Sequence, residues 1–101
     1  MDQALADERG EIQTKKYIAK LFKAFTHLPP SAAMKLYGDL FTESEAVMLA
    51  KRLEIASGLL VGETYRSIQR RLRVTPNSVA QIRRVLKISG EGFKVARELF
   101  R

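Results

Sequence analysis

The chain has 101 residues, of which 46% are hydrophobic and 29% are charged, so it is long enough for one small globular domain. It contains no cysteine and a single histidine, which excludes disulfides and thiolate chemistry and leaves too few ligands for an ordinary zinc site. The net charge of +7 lies entirely in residues 62–101, which carry ten basic and three acidic residues, whereas residues 1–61 carry eight of each; such asymmetry is typical of nucleic-acid binding.

The first 12 residues have no apolar period, and we predict that residues 1–12 form a flexible N-terminal arm. There is no secretory signal pattern in it and no apolar run of the roughly 20 residues that a membrane span needs, so we expect a cytoplasmic, nucleoid-associated protein without membrane contact. A first helix is predicted over residues 13–27, and its apolar stripe consists of Ile18, Leu21, Phe22 and Phe25. Leu28-Pro29-Pro30 ends it, because a residue before proline is pushed out of the α region.

Ser31 is predicted to cap a second helix, and Thr42-Glu43-Ser44-Glu45 is a capping box for a third that runs to about Val61, with Gly62 as its stop. This third helix has a broad apolar surface, formed by Ala46, Leu49, Ala50, Leu53, Ala56 and Leu60 on one side and Met48, Ile55 and Leu59 on another. The breadth predicts burial on more than one face, part of it against a partner subunit; a central helix in a monomeric bundle is the alternative.

Two short helices follow, joined by about three residues. Thr64 can cap the first, which reaches about Leu72, and Thr75 with Pro76 suits the start of the second, which runs to about Ile88. Inward positions are Ile68, Leu72, Val74, Val79, Ile82, Val85 and Leu86. This layout over about residues 64–88 is that of a DNA-binding helix-turn-helix. A pair of amphipathic helices with a solvated basic face would give the same pattern.

If the second helix enters the major groove, its outward residues read bases, since Asn and Gln pair with adenine and Arg with guanine. The predicted base-reading residues are Thr75, Asn77, Ser78, Gln81 and Arg84. Residues around the edge can meet phosphates. The predicted phosphate-binding residues are Arg66, Arg70, Arg71, Arg73, Arg83 and Lys87. Two positions depart from common helix-turn-helix patterns: Gln69, where a small residue is usual, and Arg73, where a glycine is usual and a positive φ would cost roughly 1 kcal/mol.

Gly90 and Gly92 are predicted to form a turn before a last helix, whose apolar residues Phe93, Ala96, Leu99 and Phe100 we expect in the core. His27 suits the C-terminal end of the first helix as a cation. We find no set of side chains for catalysis, and predict no enzyme activity, no metal site and no cofactor. The helices predicted along the chain give an all-α fold class with about six helices.

The segment LFTESEAVMLAKRLEIASGLLVGETYRSIQRRLRVTPNSV, residues 40–79, resembles the Trp-repressor family, as does the closing GEGFKVARELF. The shared parts are a Thr-led capping motif, a long helix, a GETY turn and the helix-turn-helix. The resemblance implies that residues 13–101 form a Trp-repressor-like DNA-binding domain, assembled as an intertwined all-helical homodimer that binds double-stranded operator DNA and represses transcription.

The resemblance does not extend to the ligand. Our alignment places Glu54 and Gln81 where tryptophan-responsive members of the family carry arginines that help form the amino-acid pocket. A carboxylate at Glu54 would repel a ligand carboxylate, so we expect no response to tryptophan. The identity of any other small-molecule effector stays open.

Two functions of different classes agree with these residues. The first is a homodimeric, sequence-specific transcriptional regulator. The second is a protein-interaction module, or a helical module that binds DNA without sequence choice. The combination of Asn77, Gln81 and Arg84 on one helix favours the first, because a docking or electrostatic surface does not need base-reading groups.

Overall fold

The computed structural model describes residues 2–100, with side chains from Glu8 onward. This part of the chain is all-helical, without a strand, as predicted, and has six α-helices. They are α1 (Asp2–His27), α2 (Pro30–Leu40), α3 (Glu43–Leu60), α4 (Tyr65–Leu72), α5 (Pro76–Ile88) and α6 (Glu91–Leu99). None of the described helices is long and apolar enough to cross a membrane.

Helix α1 begins at Asp2, so the predicted start at residue 13 was wrong. Residues 2–12 lack an apolar stripe but are rich in Ala, Leu, Glu and Arg. These residues have high intrinsic helix propensity, which lets a helix continue where no packing face marks it. The end of α1 at His27, before Leu28-Pro29-Pro30, is as predicted. The flexibility of the segment 1–12 stays a prediction.

Helix α2 begins at Pro30 without a side-chain cap, and its N-cap position is occupied by Pro29. The prediction that Ser31 is the cap was therefore wrong. The physical reason is that Pro30 suits the first helical position, where its fixed φ is already helical and its missing N–H is not needed. At the other end, the rings of Tyr37 and Phe41 pack with their centroids 4.8 Å apart.

Contacts between residues divide the chain into two compact units, one ending at Phe41 and one beginning at Thr42. The first unit consists of α1 and α2, which pack against each other. None of its residues from Glu8 to Phe41 is buried. Its exposed large apolar side chains are Ile12, Tyr17, Ile18, Phe22, Leu28, Met34 and Leu40. The predicted single domain over residues 13–101 stays a prediction.

The second unit is built around α3, which packs against α4, α5 and α6. The core cluster consists of Ile55, Ala56, Ile68, Val79 and Ile82, surrounded by Leu59, Tyr65, Leu72, Val74, Leu86 and Phe93. The predicted capping box begins α3: the Glu45 amide donates to Thr42 Oγ1 at 3.1 Å, and the Thr42 amide donates to Glu45 Oε1 at 2.9 Å. Gly62, with a φ of 86°, follows the end of α3 as predicted.

The predicted core is too large at its edges. Val85 is 42% exposed, and Leu99 and Phe100 are 79% and 76% exposed, whereas Phe93 packs on the core as expected. Helical spacing identifies a shared face, but it does not say whether that face has a neighbour. Of the two glycines, Gly90 lies in the turn before α6, where its φ is 65° and an added Cβ would lie 2.9 Å from Leu86 Cα. Gly92 lies inside α6, so its predicted place in the turn was wrong.

Candidate nucleic-acid interface

Helices α4 and α5 form the helix-turn-helix at the boundaries that the sequence predicts. Thr64 caps α4 by accepting from the Ser67 amide at 3.2 Å, and Thr75 caps α5 by accepting from the Ser78 amide at 3.2 Å. The two helices share the core through Ile68 and Val79, both 0% exposed. Since these two residues are fixed by packing, the outward faces of α4 and α5 are held in one relative orientation.

The turn between the two helices contains a left-handed residue. Arg73 has φ 55° and ψ 53°, and it is the one non-glycine residue with positive φ in the described chain. The amides of Arg73 and of Val74 both point back to the Gln69 carbonyl, the latter at 3.2 Å. Both bonds go to this one carbonyl near the end of α4, in the manner of a left-handed C-cap. The positive φ anticipated at Arg73 is confirmed, with a strain of roughly 1 kcal/mol.

Three of the five predicted base-reading residues lie on one outward face of α5. Asn77, Gln81 and Arg84 are all exposed and stand at positions i, i+4 and i+7 of the helix. At this spacing they form a continuous polar stripe that begins in the first turn. We call these three residues the reading stripe.

The other two predicted base readers are occupied in the helix cap. Thr75 Oγ1 lies 3.0 Å from Ser78 Oγ, in addition to accepting from the Ser78 amide. Ser78 is half-buried, while Thr75 is exposed. The two hydroxyls therefore bond to each other at the start of α5, which leaves them less free for bases than the reading stripe. Their predicted base-reading role stays a prediction.

The predicted phosphate-binding residues fall into three structural groups. Four are exposed at the rim of the helix pair: Arg66, Arg70, Arg73 and Lys87. Arg83 is exposed too, with its guanidinium 5.8 Å from the centroid of the Tyr65 ring, a cation–π distance. Arg71 differs from all of these because it is paired with a carboxylate. A phosphate contact by any of the six stays a prediction.

The partner of Arg71 is Glu63, in the turn that precedes α4. Arg71 donates from Nη2 to Glu63 Oε1 at 2.8 Å and from Nε to Glu63 Oε2 at 3.1 Å. The Ser67 hydroxyl donates to the same Oε2 at 2.6 Å. The hydrogen bonds from Arg71, and then that from Ser67, hold the pKa of Glu63 below its ordinary value. In turn, the Glu63 carboxylate raises the pKa of the Arg71 guanidinium.

A cavity of about 320 Å³ opens between α3 and α5, a feature that the sequence pattern did not reveal. Its wall combines basic, polar and apolar side chains: Ser44, Val47, Met48, Lys51, Arg52, Ile55, Val74, Ser78, Gln81 and Ile82. Gln81, at one of the two positions that the family alignment assigned to a pocket, lines it.

Glu54 does not line this cavity; it faces a different one of about 410 Å³, together with Arg71 and Arg97. The expected repulsion between Glu54 and a ligand carboxylate stays a prediction.

Comparison with known proteins agrees with this geometry. The family model described as Trp repressor protein matches residues 16–98, which is most of the chain. No curated protein and no solved structure matches the chain.

Proposed function

The chain belongs to the Trp repressor family, and we propose that it is a sequence-specific, DNA-binding transcriptional regulator that acts as a homodimer and represses the genes it binds. The observation that carries the proposal is the exposed reading stripe of Asn77, Gln81 and Arg84 on α5, together with the exposed cations Arg66 and Arg70 on α4. The stripe offers amide and guanidinium groups that can pair with adenine and guanine in the major groove.

Charge supports DNA as the partner. The net excess of seven positive charges lies in the same 40 residues that contain the helix-turn-helix. Each phosphate contact releases a condensed counterion, so binding should weaken steeply as salt is added. The phosphate contacts fix the position of the protein on the duplex, and the reading stripe then supplies the choice of sequence.

A second copy of the chain is supported by the first structural unit. No side chain between Glu8 and Phe41 is buried, although this segment exposes Ile12, Phe22 and Met34 by 53%, 61% and 68%. A helical pair with no buried side chain gains little from packing, because most helical stability in proteins comes from burying an apolar face. A symmetric partner would bury this surface and would place two α5 helices on successive half-sites.

We also propose that the protein acts independently of tryptophan. The amide of Gln81 is neutral, so it cannot form the ion pair with a ligand carboxylate that an arginine at this place would form. Titration of L-tryptophan into the protein–DNA complex is expected to leave the affinity unchanged. A rise in affinity at millimolar tryptophan or below would contradict this part of the proposal.

Two measurements test the proposal. Sedimentation at micromolar concentration should give the mass of two chains; a stable monomer would contradict the dimer. Competition between a selected duplex and a scrambled duplex of equal composition, at about 150 mM salt, should show a preference of at least about 10³ for the selected one. Equal binding of both duplexes would instead favour a non-specific or protein-docking role.

A further inference from the structure

Glu63 makes four hydrogen bonds to three residues in the turn between α3 and α4. Its carboxylate accepts two hydrogen bonds from Arg71 and one from Ser67, at distances of 2.8, 3.1 and 2.6 Å. Its backbone amide donates to the Gly58 carbonyl at 2.9 Å. The turn, the first helix of the helix-turn-helix and the last part of α3 are thus joined through one residue.

Gly58 makes this arrangement sterically possible. A Cβ added there would lie 2.5 Å from Glu63 Oε1, 3.1 Å from Ile68 and 3.2 Å from Arg71 Nη2. The first distance is shorter than real Cβ contacts allow, so the ion pair lies directly against the backbone of α3. Glu63 and Arg71 therefore act between two elements, unlike an ion pair on the surface of one helix.

The arginines of α4 differ in whether they are hydrogen-bonded to a carboxylate. Ser67 and Arg71 are four residues apart and both turn toward Glu63. Arg66 and Arg70 are also four residues apart, on an adjacent face, and are exposed. A phosphate approaching Arg71 meets a guanidinium that already donates from Nε and Nη2 to a carboxylate and whose charge is paired, whereas Arg70 makes no such bond to any described residue.

We infer that Glu63 is a positioning residue for DNA binding: it withdraws Arg71 from the phosphate backbone and uses it to fix α4, and with it the reading stripe, on α3. This inference rests on the proposed DNA-binding function. It assigns Arg71 a role different from the phosphate contact predicted from the sequence. On this inference, the preference for one DNA sequence depends on the Glu63–Arg71 pair. The number of phosphates that the protein contacts does not depend on this pair.

The test compares Arg71→Met with Arg70→Met, because each removes one charge from neighbouring positions of α4 and keeps most of the side-chain stem. Affinity for a selected and a scrambled duplex is measured from about 50 to 300 mM salt. Arg70→Met is expected to flatten the dependence of log affinity on log salt by about one unit. Arg71→Met is expected to leave that slope unchanged and to lower the preference for the selected duplex by about two- to fivefold.

Glu63→Gln tests the same pair from the other side. It removes the negative charge and one of the two acceptor oxygens, so Arg71 is held more weakly and keeps its own charge. The slope should therefore stay the same or steepen by up to about one unit, while the preference for the selected duplex falls. In the double variant Glu63→Gln/Arg71→Met, the preference should fall no further than in Arg71→Met alone, because both changes remove one interaction. A cooperative thermal unfolding transition shows that each variant is folded. Ser67→Ala is a milder variant because it keeps the ion pair, and it should lower the preference for the selected duplex less.

The outcomes separate the inference from the function on which it rests. If Arg71→Met flattens the salt slope as much as Arg70→Met does, Arg71 contacts phosphate and the inference is wrong, while DNA binding stands. If folded Glu63→Gln discriminates as well as the native protein, the positioning role is equally wrong. A native protein that shows no salt-dependent binding to any duplex would overturn both the inference and the proposed function.

Discussion

The guanidinium of Arg83, on α5, lies over the ring of Tyr65, on α4, with Cζ 5.8 Å from the ring centroid. Tyr65 also packs on the core cluster, so its side chain contacts both the buried core and the exposed Arg83. The contact therefore links the two helices of the helix-turn-helix outside their buried core. It orients a cation at the edge of the reading stripe, where a phosphate contact was predicted.

Removing this contact is expected to lower stability by a small and specific amount. Tyr65→Leu keeps an apolar side chain but loses the ring, and should reduce the free energy of unfolding by about 0.5–1 kcal/mol beyond the loss of packing. Tyr65→Phe, the matched control, keeps the ring and should change it little. A double-mutant cycle with Arg83→Met, from urea unfolding at fixed protein concentration, isolates the contact. A coupling energy of zero would show that the ring and the cation do not interact.

Arg84 is the residue of the reading stripe that we expect to recognise guanine. Arg84→Ala should cost about 1–3 kcal/mol on the preferred duplex and should relax the choice of base at one position of each half-site. Arg70→Ala should instead weaken binding to all duplexes alike. Affinities for duplexes with single-base changes distinguish the two patterns. Equal losses for Arg84→Ala on every duplex would falsify its reading role.

Arg73 has both a strained backbone conformation and a positive charge, and two substitutions separate these effects. Arg73→Gly and Arg73→Ala both remove the cation, but only glycine adopts a φ of 55° without steric cost. The glycine variant is therefore expected to be about 1 kcal/mol more stable than the alanine variant. Both should flatten the salt slope of DNA binding by the same amount, about one unit. Equal stability of the two variants in urea unfolding would mean that the turn relaxes without strain.

Acid should destabilise the second unit through Glu63. Its pKa is held below the ordinary value by hydrogen bonds from Arg71 and Ser67, so folding favours the ionised carboxylate. This contribution is fully present above the pKa of the unfolded chain and is lost as pH falls through the lower folded pKa. The melting temperature should fall less steeply with acid in Glu63→Gln than in the native protein, and Arg71→Met, which removes the largest cause of the shift, should act in the same direction. An unchanged pH profile in both variants would contradict the linkage.

The boundaries of the helix-turn-helix were predicted correctly because they depend on hydrogen bonds between residues that are close in sequence. Thr64, Thr75 with Pro76, and the box of Thr42 and Glu45 act within three residues of themselves, and all of them form as expected. Gly62 ends α3 for a reason that is equally local, the positive φ at that position.

Features that depend on a neighbour could not be predicted in this way. Glu63 lies in the turn before α4 and Arg71 lies eight residues later on α4, so spacing within one helix does not predict their pairing. The exposure of Leu99 and Phe100 depends in the same way on what covers the end of α6. The first part of α1, residues 2–12, was not predicted as helix for another reason: it has helix propensity but no apolar stripe.

The most direct test of sequence-specific DNA binding by a homodimer is a selection of bound fragments from the source genome, with purified protein, excess competitor DNA and about 150 mM salt. We predict enrichment of an inverted repeat whose half-sites are about one helical turn apart, and its loss in the variant Asn77→Ala/Gln81→Ala/Arg84→Ala. Fragments without a common sequence, with binding that disappears as salt is raised, would contradict a sequence-specific homodimer.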